Sequence, residues 1–151
     1  TGLGAPYWKP DARGTLVGIT RDTERDHVIR ATLESIAYQS SDLLNAMQKD
    51  GVKPLIVKVD GGMVKNEQFL QFLSNILLSE CDRPKITETT SLGAAYLAGL
   101  SSGMLGSTKE ISKKWQSQKL FKPKLHKKEV KYLYQGWLKA VNKIIVKKNR
   151  K

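Results

Sequence analysis

An apolar segment that ends in an acid and two glycines constrains the fold of this 151-residue chain more than any other feature. The segment covers residues 55–59, Asp60, Gly61 and Gly62 follow it, and a helix-forming stretch opens at Asn66. Glycines at the carboxyl end of a strand permit a tight turn and keep side chains away from the backbone. Ligands of open α/β sheets bind at that edge. The pattern therefore predicts a strand, a turn and a helix around a binding edge.

The residues of this turn leave two interpretations open. The amide of Asn66 can donate and accept hydrogen bonds, which suits adenosine or another flat polar group, but asparagine also caps helices without binding a ligand. Asp60 can act indirectly on magnesium or ribose, or it can cap the glycine turn, which we favour. Short motifs of this kind also occur by chance, so the turn alone does not identify a ligand.

Hydrophobic periodicity and turn residues predict the remaining elements. Residues 1–25 form an entry loop with one short strand. The predicted elements are a strand at 15–19, a helix at 27–49, a strand at 55–59, a helix from Asn66, a strand at 81–87, a helix at 91–101, a short helix near 109–114 within otherwise irregular residues 102–125, and a helical segment at 127–148 whose regular part ends near 146. Alternation of helices and strands implies crossover connections and a layered α/β domain.

Local signals set the expected boundaries and positions of these elements. Asp26 and Ser91 are the predicted N-caps of the helices at 27–49 and 91–101, and Gly51 is the predicted stop of the first of them. The almost wholly apolar first strand is expected at the centre of the sheet. Pro84 interrupts the second strand, which is therefore expected at an edge or an entry position.

A net charge of +12 is typical of nucleic-acid-binding proteins, among others. Most lysines lie late in the chain, and from residue 127 onward they alternate with an apolar stripe at three- and four-residue steps, as on an amphipathic helix. The stripe consists of Val130, Leu133, Trp137, Val141 and Ile144. No aromatic platform is interleaved with these lysines, so a nucleic-acid partner is not expected.

Composition excludes several other classes of protein. Cys81 is the single cysteine, so no internal disulfide can form, and a buried structural thiol is expected rather than a nucleophile. His27 and His126 are expected to be surface or capping groups rather than metal ligands. No window reaches the ~18 apolar residues of a membrane span. We expect a cytoplasmic domain with no membrane contact and no metal site.

Several blocks of the sequence carry a resemblance to a known family. The stretch 14–19, followed by His27 and residues 31–34, resembles the second signature of the FGGY carbohydrate kinases, which include glycerol, xylulose and gluconate kinases. The blocks that resemble the glycerol kinase branch, in the order of that branch, are residues 1–8, 31–39, 59–62 and 92–100. The resemblance extends from residue 1 to about residue 140 and is loose towards the end.

The resemblance implies an α/β fold of the actin-like ATPase, ribonuclease H-like type, in which ATP lies in a cleft between two related domains. It also implies that Gly62 and Asn66 contact the nucleotide, with Gly61 as the adjoining turn residue and Asp60 as a weaker candidate. Glycerol kinases are much longer than this chain. Residues 1–151 are therefore expected to be the C-terminal part of the ATP-binding domain.

The resemblance implies ATP and Mg²⁺ as cofactors, and a full-length homo-oligomer that transfers the γ-phosphate of ATP to glycerol. The first phosphate loop, the glycerol pocket and the catalytic base are expected upstream, so we assign no catalytic residue here and expect this chain alone to be inactive. Two alternatives stay open. One is another sugar or polyol kinase of the same family, and the other is a basic, non-enzymatic α/β module that binds RNA.

Three further features have structural interpretations. The small residues 93–95 are expected to let their helix lie close to the sheet behind the nucleotide. Glu34 is expected to be a buried polar group that packs its helix rather than a catalytic acid. The three tryptophans, Trp8, Trp115 and Trp137, are expected to anchor loops and helices.

Overall fold

The computed structural model describes residues 2–52 and 54–145, and it shows a mixed α/β domain. The elements in chain order are α1 (Arg25–Lys49), β1 (Ile56–Lys58), a 3₁₀ turn (Gly62–Lys65), α2 (Glu67–Leu77), β2 (Glu80–Pro84), α3 (Thr89–Ser101), α4 (Thr108–Lys113), β3 (Ser117–Phe121) and α5 (Lys127–Ile145). The predicted α/β class is confirmed. The predicted helix end near residue 146 and the segment up to 148 lie outside the described residues.

The sheet has the strand order β1-β2-β3, with β1 parallel to β2 and β2 antiparallel to β3. The predicted central position of the first strand is therefore wrong for the described sheet, and so is the predicted edge position of the second. An apolar side chain indicates that one face of a strand is buried, but it does not indicate whether the strand has a neighbour on each edge. Even the burial is incomplete here, because Leu55, just before β1, is 90% exposed. Pro84 is the last residue of β2, where the register shifts after Arg83, so its missing N–H interrupts no regular pairing.

Strand β3 was not predicted, because its polar residues at 117–119 carry no alternating apolar signal. Pairing with β2 and two side-chain bonds to one carboxylate stabilise it instead. Ser117 Oγ donates to Asp82 Oδ1 at 2.5 Å, and Trp115 Nε1 donates to Asp82 Oδ2 at 2.7 Å. Asp82 is only 7% exposed, so these bonds offset the cost of burying its charge.

Helix α2 lies at the centre of the packing, as its apolar face predicts. The inward side chains of α2 pack against one residue of β2 and one of β3 in a single buried cluster. Its members include Phe69, Leu70 and Leu73 of α2, Cys81 of β2 and Phe121 of β3. Other side chains of α2 meet α1 and α5 in a second cluster, whose buried members are Tyr38, Ile76 and Val130. The two faces of α2 thus connect the sheet to both long helices.

Helix boundaries differ from the predictions by one or two residues. Helix α1 begins at Arg25 with Glu24 as its N-cap, because the Glu24 N–H donates to His27 Nδ1 at 3.0 Å and completes a capping box. Asp26 therefore lies inside the first turn, and its predicted cap role is wrong. The predicted stop is confirmed, since Gly51 has a φ of +89° and its N–H donates to Gln48 O.

Two further predictions, one of a helix cap and one of a strand, are wrong. Helix α3 begins at Thr89 with Glu88 as its N-cap, so Ser91 lies within the helix. Residues 15–19 form no strand, and their apolar side chains stay exposed, because no strand of the described chain lies beside them to pair with their backbone.

Helix α5 packs by its apolar stripe, as predicted, with Val130 and Val141 buried. Trp137 stacks on Tyr38 with ring centroids 5.6 Å apart, and its Nε1 donates to Asp42 Oδ2 at 2.8 Å. Trp137 and Trp115 thus anchor their elements as expected. Trp8 does not, because 73% of it is exposed.

Candidate functional site

The glycine turn lies where β1 ends and the chain enters α2. Val59 N–H donates to Asp82 O at 3.1 Å, and Gly61 N–H donates to Thr87 O at 3.0 Å, so β2 and the residues after it hold the turn. Gly61 has a φ of +87°, in the left-handed region that other residues avoid. The backbone conformation alone therefore explains why position 61 is a glycine, without any role in ligand binding.

Gly62 is a glycine for which the described chain offers no steric reason. Its φ is not in the positive region, and a Cβ built on it would meet no atom of the described residues within 4 Å. The backbone at Gly62 is exposed and open to the close approach of a ligand.

Asn66 caps α2 and keeps one end of its amide available. Phe69 N–H donates to Asn66 Oδ1 at 3.0 Å, which confirms the predicted cap. Among the described residues no hydrogen bond uses the Asn66 amide nitrogen, and the residue is exposed. Because the oxygen serves the helix while the nitrogen is free to donate to a ligand, the cap and binding roles are compatible.

Asp60 joins the end of β1 to the start of α3. Its carboxylate accepts a short hydrogen bond from the Thr89 hydroxyl. The interpretation of Asp60 as a cap of the glycine turn is therefore wrong, because its hydrogen bond in the described chain goes to another element. Threonine at a helix start is common, so no local signal indicates that Thr89 belongs to this edge.

Two helix N-termini meet at this edge of the sheet. Helix α2 starts directly after Asn66, and α3 starts within two residues of Thr87, whose carbonyl holds Gly61. Unpaired N–H groups and the helix dipole give such termini a partial positive charge that favours phosphate or another anion. The turn thus combines an exposed backbone, a free amide donor and two favourable dipoles.

A buried arginine next to the turn was not recognised from the sequence. Arg83 on β2 donates to Val64 O at 3.1 Å and to Glu67 Oε1 at 3.0 Å. Lys119 also donates to Glu67, at 2.7 Å, and these bonds, the one from Lys119 first and that from Arg83 second, lower the pKa of the Glu67 carboxyl. An arginine in a strand that is expected at the edge of the sheet carries no local signal of this role.

The other candidates lie apart from the turn. Glu34 pairs with Arg30 at 2.6 Å on α1 and retains 22% side-chain exposure, so its expected burial is wrong and it is a half-buried ion-pair partner within that helix. Cys81 is fully buried, and this burial raises the pKa of its thiol to about 11, which suits the predicted inert role. His27 caps α1, as expected.

The predicted packing of residues 93–95 against the sheet is wrong. Helix α3 has no buried residue, and a Cβ on Gly93 would meet no atom of the described chain within 4 Å. Helix α3 is thus apolar, but no other element of the described chain covers it, and Leu97 is 69% exposed.

The remaining surface features give no second candidate site. A groove of about 1050 Å³ lies between α1, α2 and β3 and includes neither Gly61, Gly62 nor Asn66. Within residues 2–52 and 54–145, no three His, Cys, Asp or Glu side chains are grouped to hold a metal ion. In the same ranges, no helix has both the length and the apolar character needed to cross a bilayer.

Comparison with known proteins decides the family. Residues 1–102 match the C-terminal domain of the FGGY family of carbohydrate kinases. The chain belongs to this family. It is 50% identical over 144 residues to the glycerol kinase of Alteromonas mediterranea, covering 95% of the chain and 29% of that kinase.

Solved structures agree with this assignment. The chain superposes on Plasmodium falciparum glycerol kinase with ADP at a TM-score of 0.83 and 40% identity, covering 97% of the chain and 29% of that protein. For ligand-bound xylulose kinase from Lactobacillus acidophilus the values are 0.79 and 27%, with 95% and 29% covered. The predicted kinase fold is confirmed, and the chain spans 29% of the length of these relatives.

Proposed function

We propose that this FGGY-family chain is the nucleotide-binding C-terminal part of a glycerol kinase. Gly61 and Gly62 would present exposed backbone to the adenosine end of ATP or ADP, and the Asn66 amide nitrogen would donate to it. The observation that carries the proposal is the open position at Gly62 next to the free amide nitrogen of Asn66. The Plasmodium falciparum structure, which has ADP, supports nucleotide binding by its 40% identity to the chain.

The proposed reaction moves the γ-phosphoryl group of ATP to a hydroxyl of glycerol. The bond between this phosphorus and ADP breaks, a new phosphorus–oxygen bond forms, and the hydroxyl proton passes to a base. We assign no base among the described residues, since Asp60 is the one acid in the turn and it is bonded to Thr89. The contribution of this chain is to bind and orient the nucleotide.

Mg²⁺ belongs to the proposed reaction as the ion that would neutralise phosphate charge. Magnesium is bound by one or two carboxylates together with substrate phosphates. We propose that most of its protein contacts come from outside the described residues. We further propose that the complete enzyme acts in the cytoplasm as a homo-oligomer.

Glycerol as the acceptor is supported by the higher identity to glycerol kinases than to xylulose kinase, 40–50% against 27%. Nucleotide binding by this chain is tested with a chimera in which it replaces the matching C-terminal segment of the Alteromonas mediterranea enzyme, which then supplies the glycerol pocket. We expect ATP-dependent phosphorylation of glycerol, with an Asn66→Ala chimera showing about a ten-fold higher KM for ATP and an unchanged KM for glycerol. A folded chimera whose KM for ATP does not respond to Asn66→Ala contradicts the proposal.

RNA binding is the competing outcome for the lysine-rich surface. Binding through lysines to phosphates falls steeply with salt, whereas adenine binding in a pocket does not. Titrations of the chain with ADP and with a single-stranded RNA at 50 and at 200 mM salt distinguish them. We expect salt-insensitive ADP binding and no specific RNA binding.

A further inference from the structure

The interior of the domain contains a guanidinium that reaches both sides of Asn66. Arg83 lies on the central strand β2 and is 8% exposed. Its Nη1 donates to the carbonyl of Val64 at 3.1 Å, inside the 3₁₀ turn, and its Nη2 donates to Glu67 at 3.0 Å, at the first residue of α2. The two acceptors bracket Asn66 in sequence.

The placement of this guanidinium is fixed by its surroundings. It lies 5.5 Å from the ring centroid of Phe121, which is 4% exposed. The strand register shifts directly after Arg83, and such irregularities re-aim side chains. The Nε atom of Arg83 is buried without a hydrogen-bond partner in the described chain. Nη1 and Nη2 therefore make all the hydrogen bonds of this side chain with the described residues.

A planar fork of donors suits this geometry better than any other side chain. Arginine presents several N–H groups in fixed directions, so one group can bind two acceptors at once. Lysine has a single nitrogen on a flexible stem and a more strongly hydrated charge. Both acceptors belong to the segment that follows the glycines, so the fork fixes that segment against the sheet.

We propose that Arg83 is a positioning residue for the nucleotide site. By holding Val64 and Glu67 it fixes the 3₁₀ turn so that the Gly62 backbone and the Asn66 amide nitrogen face the nucleotide together. Arg83 does not contact the nucleotide and acts through the turn. The inference rests on the proposed nucleotide binding by Gly62 and Asn66 and adds a buried residue that sets its geometry.

The test compares the 151-residue chain with three ¹⁵N-labelled variants. Arg83→Met removes the donors and keeps the length, and Arg83→Lys keeps the charge without the fork. Lys119→Met is the matched control, because it removes the other cationic partner of Glu67 and leaves the bond to Val64 intact. Two quantities are measured, the hydrogen exchange rates of the Val64 and Asn66 amides and the initial slope of the Gly62 amide shift against ADP concentration.

For Arg83→Met we expect amide exchange in the turn to be about ten-fold faster and the ADP slope to be about ten-fold lower, since two hydrogen bonds from a charged donor are lost. Arg83→Lys should fail to restore either quantity, and Lys119→Met should keep both within about two-fold of the parent. Exchange at Leu73, in the middle of α2, should change less than exchange in the turn. This difference separates a local effect from a general loss of stability.

Each outcome decides for or against the inference. A folded Arg83→Met variant with parental turn exchange and a parental ADP slope overturns it, while the proposed function survives. A parent chain whose turn amides do not respond to ADP overturns both. If Arg83→Met does not fold, Glu67→Gln replaces it, which weakens one arm of the fork. About three-fold faster turn exchange with a lower ADP slope is then expected, and no change in either contradicts the inference.

Discussion

Asn66 shows how one side chain can satisfy the fold and still serve a ligand. Its amide oxygen accepts from Phe69 N–H and caps α2, while its amide nitrogen has no partner among the described residues. Sequence reasoning predicted both roles as alternatives, whereas the structure makes them compatible. The two glycines also differ in what requires them. The positive φ at position 61 requires a glycine, whereas no contact in the described chain requires a glycine at position 62.

Substitutions at Asn66 separate the two roles in the chain itself. Asn66→Ala should lower the free energy of unfolding by about 1 kcal/mol through the lost cap, and the ADP-induced amide shifts should weaken about ten-fold. Asn66→Ser keeps a cap oxygen but has no amide nitrogen. It should retain stability and show the same weakening of ADP binding, by about ten-fold, as measured by urea unfolding and NMR titration. Parental ADP binding in Asn66→Ser would reduce Asn66 to a cap.

Tyrosines with raised pKa values, Tyr38 and Tyr134 among them, predict an alkaline loss of stability. Burial first, and for Tyr134 a hydrogen bond to Asp42 second, raise the pKa of Tyr38 and Tyr134 from 10.0 to about 12. The folded state thus keeps protons that the unfolded state releases. The stabilisation is complete below about pH 10 and is lost as the pH rises towards 12.

Urea unfolding between pH 9 and 12 measures this loss. Tyr134→Phe should make the decline shallower, because one of the tyrosines with a raised pKa is removed. Tyr132→Phe is the control, since Tyr132 is 76% exposed on the same helix and should leave the profile unchanged. A parental profile in Tyr134→Phe would show that this hydroxyl does not contribute.

At the scale of elements, α2 carries the connection between sheet and helices. Leu70 on α2 is fully buried, so Leu70→Ala should cost about 2–5 kcal/mol of unfolding free energy. Leu55 next to β1 is 90% exposed, so Leu55→Ala should change it by less than about 0.5 kcal/mol. Denaturant midpoints of the two variants measure the difference, and a similar cost for both would contradict the described core.

Elements with strong periodicity were predictable, and positions within the sheet were not. The faces of α2 and α5 follow from three- and four-residue spacing, which is a local property of the sequence. Strand β3 and the order of β1 and β2 in the sheet were not predicted correctly, because both depend on pairing between distant segments. Asp82 illustrates this, because its partners Trp115 and Ser117 lie more than thirty residues away.

The candidate site divides in the same way. Gly61, Gly62 and Asn66 were predicted as site residues because they lie within one short motif of the sequence. Thr89 and Arg83 were missed because each reaches the turn from another element, by bonds to Asp60, Val64 and Glu67.

At the scale of the whole molecule, the chain spans 29% of the length of its relatives and leaves apolar surface uncovered. Leu97 and Met104, in and just after α3, are 69% and 84% exposed. We therefore expect the isolated chain to show no turnover of ATP with glycerol. A coupled assay measures this, with the chimeric kinase as the positive control. Turnover above a protein-free blank would show that the acceptor site and base are present after all.

Nucleotide binding by the turn from Asp60 to Asn66 is the basis of the proposed function. Titration of the ¹⁵N-labelled chain with ADP, followed by NMR, tests it directly. We expect shifts centred on Gly61, Gly62 and the Asn66 side-chain amide, with a Kd of about 1 mM or weaker because few phosphate partners are present. Micromolar binding would contradict the assignment of the phosphate site to other residues. Shifts confined to the lysines of α5, or none at the turn, would contradict nucleotide binding by the turn.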